Sequence, residues 1–412
     1  MRTGTIFAYK IEVMGKLRNL LLAVLFVAVC SNVEAKSGKF RKDVYSTRVD
    51  EALEYYIQNN YFEKTGLVYT CRPENVRSSK DCVNGMFHWY KGIPGGYGEG
   101  MGDCALIMGT ALAGTVDSWN ILTDRKARRK VKAQANLLAN GMMNLASLHG
   151  IKGFVARGIC ADDGKSICSI SSIDQYTHWL HSLWRWSRSG MAEPELLERY
   201  KVLVTEVAQF MEAKVIPENG YNFGLADGTI PDPRGICTMW GEKRAHAATR
   251  FPMVFATAYL ATGETHWKDL YEKYIDRGLD MTLPLIGMTE KEVLSYMPCY
   301  SLYQAICSLE VVASMENGPE RVEKIKRCIN EFSRRANERA TNADPAKPPY
   351  GMCWDGELSL TELMDPDYVM TDFNVRMLKD SVLEKEADKM GWCKAAHMYA
   401  AYWRYLARTL NK

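Results

Sequence analysis

The sequence predicts an all-α protein built from helical hairpins, and three observations point to it. Apolar residues recur at helical spacing through almost the whole chain after residue 46, strand-like alternation is scarce, and short joints alternate with long ones. Hairpins strung in that rhythm make closed toroids or solenoids. With 412 residues, 47% hydrophobic and 25% charged, the chain is long enough to bury a sizeable core, and disorder, collagen and coiled coil are excluded as its main state.

The first element is an address rather than part of the fold. Lys16 and Arg18 precede the apolar run from Leu20 to Val29, and Val33-Glu34-Ala35 follows. This pattern predicts a signal peptide over residues 1–35, cut after Ala35, with Met14 as an alternative start and an uncleaved N-terminal anchor as the other reading. The run is too short for a comfortable membrane span. The expected mature chain is therefore a single domain over 36–412, exported to a periplasmic or extracellular space, with no integral span.

The helices follow in order. Val49, Leu53, Tyr56 and Ile57 mark the first. Residues 103–117 form an apolar, small-residue helix, and 123–149 an amphipathic one capped by Thr123 or Asp124. Further helices are expected at about 172–189, 194–215, 243–262, 266–281, 300–316, 319–340, 373–389 and 391–410. Short joints end in a small or glycine cap, as in Trp186-Ser187-Arg188-Ser189-Gly190 and Tyr259-Leu260-Ala261-Thr262-Gly263. The long joints are 64–102, 150–171, 217–242, 284–299 and 341–371, rich in Gly, Pro and aromatic residues. In a ring they gather on one face and build a cleft.

Charge and cysteine content narrow the chemistry. Lys and Arg number 52 against 49 Asp and Glu, which gives no support to nucleic acid as a partner. The 22 Tyr and 10 Trp suit carbohydrate clefts as well as cores. Of the 12 cysteines, Cys30 falls in the leader, and the odd remainder leaves at least one thiol unpaired. Cys71–Cys82 and Cys160–Cys168 are the candidate bridges, with Cys104 and Cys307 expected buried and free. No Cys-x-x-Cys pair exists, so a thiolate zinc site is not expected, and neither metal nor other cofactor is assigned.

The Thr262-Gly263-Glu264-Thr265-His266-Trp267 joint and the hairpin rhythm resemble the six-hairpin, (α/α)6-toroid carbohydrate-active enzymes, which include unsaturated glucuronyl and rhamnogalacturonyl hydrolases and several toroid polysaccharide lyases. Divided among six hairpins, the mature chain gives roughly 63 residues each. In the hydrolases one Asp heads an early inner helix and a second heads a later one. Gly102-Asp103-Cys104 and Ser172-Ile173-Asp174-Gln175 occupy comparable places here. The resemblance implies a carbohydrate substrate and catalysis by Asp103 and Asp174.

The residues support that placement in their own terms. Asp174 lies in the first turn of a helix capped by Ser171 or Ser172, with Gln175 beside it, and Asp174, His178 and His181 share one helical face. That face reads as a capping Asp with ordinary histidines, as a substrate-binding and acid/base row, or as a metal site lacking a third strong ligand. Gly95-Gly96-Tyr97-Gly98-Glu99-Gly100-Met101-Gly102-Asp103 is a glycine-alternating loop suited to close approach of a ligand, in which Asp103 reads equally as an N-cap. Arg157, flanked by Gly158, can reach a uronate carboxylate or form a surface ion pair. Arg244 and His246 stand near a helix start and can hold an anionic sugar; Trp240 and Trp354 can stack on a pyranose face or pack within their loops. No phosphate loop and no Gly-x-Ser-x-Gly nucleophile is present. Three functions therefore remain open: a glycoside hydrolase acting on an acidic or complex glycan, a lyase using a Tyr or His base, and a glycan-binding protein without chemistry.

Overall fold

The described part of the chain, in a computed structural model, comprises residues 40–410 except 89–95, 231–234, 295–296, 345–346, 348 and 350. The chain divides between Arg41 and Lys42. The expected signal peptide lies outside the described residues, and the helices belong to the unit from Lys42. Among the described residues there are thirteen α-helices: α1 Val44–Asn60, α2 Cys104–Ile121, α3 Arg125–Asn144, α4 Ile173–Ser187, α5 Pro194–Lys214, α6 Arg250–Thr262, α7 Thr265–Thr282, the short α8 Glu290–Leu294, α9 Cys299–Ala313, α10 Pro319–Thr341, α11 Trp354–Met364, α12 Asp372–Leu383 and α13 Trp392–Leu410. None is long and apolar enough to cross a membrane.

Two kinds of helix alternate. In α2, α4 and α9 nearly every side chain is buried, so these helices have no solvent face and must sit inside. In α3 and α10 only one stripe is buried, for example Ala135, Leu138, Ala139 and Met142 of α3, so these lie outside. The contacts close a ring: α2 packs on α4, α4 on α6, α6 on α9, α9 on α11, α11 on α13, and α13 back on α2. Helices α1, α3, α5, α7, α10 and α12 cover that ring from outside. The fold is an (α/α)6 toroid. Of the two architectures left open by the joints, closure selects the ring over the solenoid.

Start and stop signals explain the boundaries. Asp43 and Asp124 cap α1 and α3 by accepting the amides of Ser46 and Ala127, each at 2.8 Å. Proline opens α5 and α10 at their first turn, and Gly263, at φ 76°, ends α6. Two pairs of short strands, β1 Tyr61–Phe62 with β2 Leu67–Val68 and β3 Met86–Phe87 with β4 Ile167–Cys168, tie the long loops down.

Two expectations need correction. The segment 341–371 is not one loop, because it contains the inner helix α11. That helix is short, and it buries Asp355, Glu357, Ser359, Thr361 and Glu362, so it has no polar stripe to set its period apart. The two short-loop disulfides are also absent: among the described residues none of Cys71, Cys82, Cys160 and Cys168 forms a bridge, and the Cys82 thiol is hydrogen-bonded to Cys160. Cys104 and Cys307 are buried and free.

The seam of the ring is tight. A Cβ on Gly114 of α2 would lie 2.6 Å from the Cα of Ala400 on α13, so the two backbones touch where the ring closes. Gly114→Ala is expected to cost about 1–3 kcal/mol of stability by forcing α2 and α13 apart. A shift in the urea midpoint checks it, and an unchanged midpoint would show that the seam opens freely.

The pole where the inner helices end is closed by charge. Arg185 of α4 pairs with Asp117 of α2 at 2.6 Å; Arg404 of α13 reaches Asp117 at 3.3 Å and Glu310 of α9 at 2.6 Å; His181 of α4 meets Glu310 at 2.6 Å. Cations at helix C-termini also complement the helix dipoles.

Glu362, on α11, is buried and accepts from the Asn374 amide at 2.6 Å. Burial pushes its carboxyl up from 4.5 to about 8. The folded chain therefore keeps a proton that the unfolded chain releases, and this contribution to stability is full below 4.5 and is lost as pH rises to about 8. Glu362→Gln is expected to match the wild type in urea melts at about pH 5 and to exceed it at about pH 8. Equal midpoints at the higher pH would contradict this.

Candidate active site at the rim

Each long loop leads into an inner helix, so the heads of the six inner helices gather at one rim, opposite the charged pole. Asp103 occupies the cap position of α2 with φ −144° and ψ 39°, yet its side chain makes no capping bond. Its Oδ1 accepts instead from Arg157 Nη1 at 2.7 Å and from Gln175 Nε2 at 2.8 Å. Arg157 also donates to the Gly102 carbonyl at 2.7 Å and lies 3.6 Å from the centre of the Tyr97 ring. The capping alternative for Asp103 is thus not the one adopted, since its carboxylate is turned to the rim.

Asp174, in the first turn of α4, accepts from Arg250 Nη1 of α6 at 3.0 Å. Because Gln175 follows Asp174 directly, one turn of α4 links the two carboxylates: Arg157–Asp103–Gln175 on one side and Asp174–Arg250 on the other. The arginines are almost wholly buried, while Asp103 and Asp174 remain 28% and 26% exposed. Each carboxylate is therefore fixed from below by a cation and open above. With six helix N-termini around the same rim, the local field favours negative charge.

The other candidates separate. Tyr97 joins the cluster by stacking on Arg157, and Glu99 is exposed in the same loop. Arg157 does not stand free for a uronate, because its guanidinium is buried and held by Asp103 and Gly102. His178 is 1% exposed, one turn below Asp174, beside Thr110 and Gln304, and burial holds its imidazole well below the usual range. It is a neutral interior histidine rather than a surface contact. His181 belongs to the charged pole. The shared face of Asp174, His178 and His181 exists, but it looks into the ring at three depths and builds no metal site. Trp240 is 2% exposed and packs on Phe251 and Tyr274, so it walls no cleft. His246 is buried, and the Arg244 side chain lies outside the described residues.

Trp354 does line a cavity, of about 680 Å³, at the heads of α11 and α13, together with Cys353, Asp355, Trp392, Cys393 and Lys394. Asp355 pairs with Lys394 at 3.1 Å. Thr70 also lines it, and the Thr70 amide donates to the Gly100 carbonyl at 3.2 Å, so this cavity adjoins the loop that leads into Asp103. At its floor the Sγ atoms of Cys353 and Cys393 lie 2.9 Å apart, and Cys393 Sγ is 3.7 Å from His397 Nδ1. Glu357, one turn beyond Cys353, is fully buried, and burial raises its carboxyl to about 7.

Sequence reasoning missed this group. Its two cysteines are forty residues apart, and α11 went unread. The spacings Cys393-x-x-x-His397, i to i+4 on α13, and Cys353-x-x-x-Glu357, from the cap of α11 into its first turn, are the signal it left.

No family model matches the chain, and no curated protein matches it. Among solved structures it is similar to a glycoside hydrolase family 76 mannosidase from Bacteroides thetaiotaomicron, at 10% identity and a TM-score of 0.49, with 89% of this chain and 98% of that chain covered. The toroid stands on the helix contacts given above, and the site on its own geometry.

Proposed function

We propose that this chain is an exported glycan-degrading enzyme, a glycoside hydrolase acting on an acidic or complex glycan through Asp103 and Asp174. The observation behind it is the pair of partly exposed carboxylates at adjacent inner-helix heads, each held by a buried arginine and linked through Gln175. Glycoside hydrolysis needs two such groups flanking the bond. One protonates the leaving oxygen, and the other activates water or attacks the anomeric carbon. Arg157 and Arg250 position the carboxylates, and Tyr97 and Trp354 offer aromatic faces for a sugar ring. Lys385 and Lys394 in the adjoining cavity, with the helix N-termini, suit an anionic sugar.

A lyase would need a Tyr or His base at the rim. Tyr176 is buried, its hydroxyl bonded to the Gly153 carbonyl and the Val155 amide, and burial raises it far above the usual phenol range. With His178 also buried, those two bases are withdrawn from substrate. The test is incubation with uronate-ended and neutral oligosaccharides, following reducing ends and ultraviolet absorbance. Release of reducing ends with no new absorbance, or with loss of an unsaturated chromophore, is expected. New absorbance would identify a lyase, and a glycan bound intact would identify a binding protein.

A further inference from the structure

We propose that Cys353, Cys393 and His397 bind one zinc ion at the floor of the rim cavity, leaving a fourth position open to that cavity. The inference is independent of the glycan reading. Each residue offers one ligand atom, and the three atoms lie within 4.8 Å of one another. Cys353 heads α11, while Cys393 and His397 stand one turn apart on α13, so two adjacent inner helices bring the set together at the rim. Two thiolates and an imidazole are the soft and borderline donors that zinc prefers.

The neighbourhood is built as metal sites are. His397 Nδ1 donates to the Cys393 carbonyl at 2.8 Å, which fixes the tautomer and leaves the lone pair on Nε2. That Nε2 is buried and has no hydrogen-bond partner among the described residues. Glu357 accepts the Cys353 amide through Oε1 at 3.2 Å, and its buried Oε2 likewise has no partner among the described residues. Two buried polar atoms beside a pair of sulfurs need a counter-charge or a ligand.

The sulfur separation of 2.9 Å lies between two chemical states. A disulfide would close it to about 2.05 Å. Two thiolates on a tetrahedral zinc, each with a bond of about 2.3 Å, would open it to about 3.8 Å. The displacements are similar, but the metal also uses the lone pair of His397 Nε2, which a disulfide would leave unpartnered. Both cysteines line the cavity, so the fourth position faces it and would take water or a hydroxyl or thiol group of a ligand.

The full chain, reduced and freed of metal, is titrated with zinc alone, and bound metal is counted by mass spectrometry. One zinc per chain is expected, and cobalt in its place should show thiolate charge-transfer absorption and the strong visible bands of a tetrahedral ion. Cys393→Ser and His397→Gln should each weaken zinc binding by about a hundredfold or more, since loss of outer-shell partners alone costs 10–100-fold. Circular dichroism establishes that each variant is folded. In the wild type, zinc should protect Cys353 and Cys393 from alkylation while leaving Cys82 reactive, a readout that needs no variant. A reduced chain that takes up no zinc overturns the proposal. So does zinc uptake that leaves both cysteines reactive, or that persists unchanged in a folded Cys393→Ser variant.

Discussion

Asp103→Asn and Asp174→Asn are each expected to lower turnover by about a hundredfold or more on any glycan the wild type cleaves. Asparagine keeps an oxygen that can accept from Arg157 and Gln175, or from Arg250, so position is retained while the titrating group is lost. The pH profile then separates the roles. The variant lacking the general acid loses the alkaline limb, and the variant lacking the base or nucleophile loses the acidic one. Arg157→Met is the companion measurement: it removes the cation under Asp103 and should lower turnover through misplacement of that carboxylate. Full activity in both Asp variants would end the assignment.

The largest stability effect is expected at the opposite pole. Arg404→Met leaves Asp117 and Glu310 with one cation fewer between them, and removing one partner of a buried ion pair costs about 3–5 kcal/mol. Burial alone would raise the Glu310 carboxyl, but Arg404 and Arg185 override it and hold Glu310 well below the usual range. Its contribution is thus present above the ordinary glutamate range and is lost as pH falls below it, the reverse of Glu362. Urea melts of Arg404→Met should show the loss at neutral pH and a smaller one in acid. Arg404→Met combined with Glu310→Gln should recover part of it, because the second change removes the stranded charge. A loss below about 1 kcal/mol would place the network in the class of solvated surface pairs.

The ring was legible where sequence and burial agree. The apolar face of α3 and the glycine stop after α6 are local signals, and the long loops between hairpins announced the rim. Asp103 and Asp174 were legible because a carboxylate at the head of an apolar helix is conspicuous. Arg157 was legible as a site residue but as a contact for a uronate; its pairing with Asp103, and that of Arg250 with Asp174, runs across loops of unread course. Helix α11 was hidden by its own buried acids, which mimic a polar loop until Asn374 and Lys394 are placed beside them. His178 and His181 misled for the same reason. Their partners, Gln304 and Glu310, lie more than a hundred residues away in sequence, and without them an interior histidine cannot be told from a ligand.

The contact between Gly114 and Ala400 sets an order of events during synthesis. An open array of helical repeats can shed its terminal unit and leave the others standing, since each unit touches only its neighbours. Here α2 emerges early, and the surface it needs is supplied by the final inner helix, Trp392–Leu410, almost three hundred residues later. Until that helix arrives, every intermediate is an arc with two apolar ends, and another arc is as good a partner as its own missing piece. Shortening the chain by one hairpin therefore removes the closure on which all six depend, and two incomplete arcs are set to exchange helices with each other.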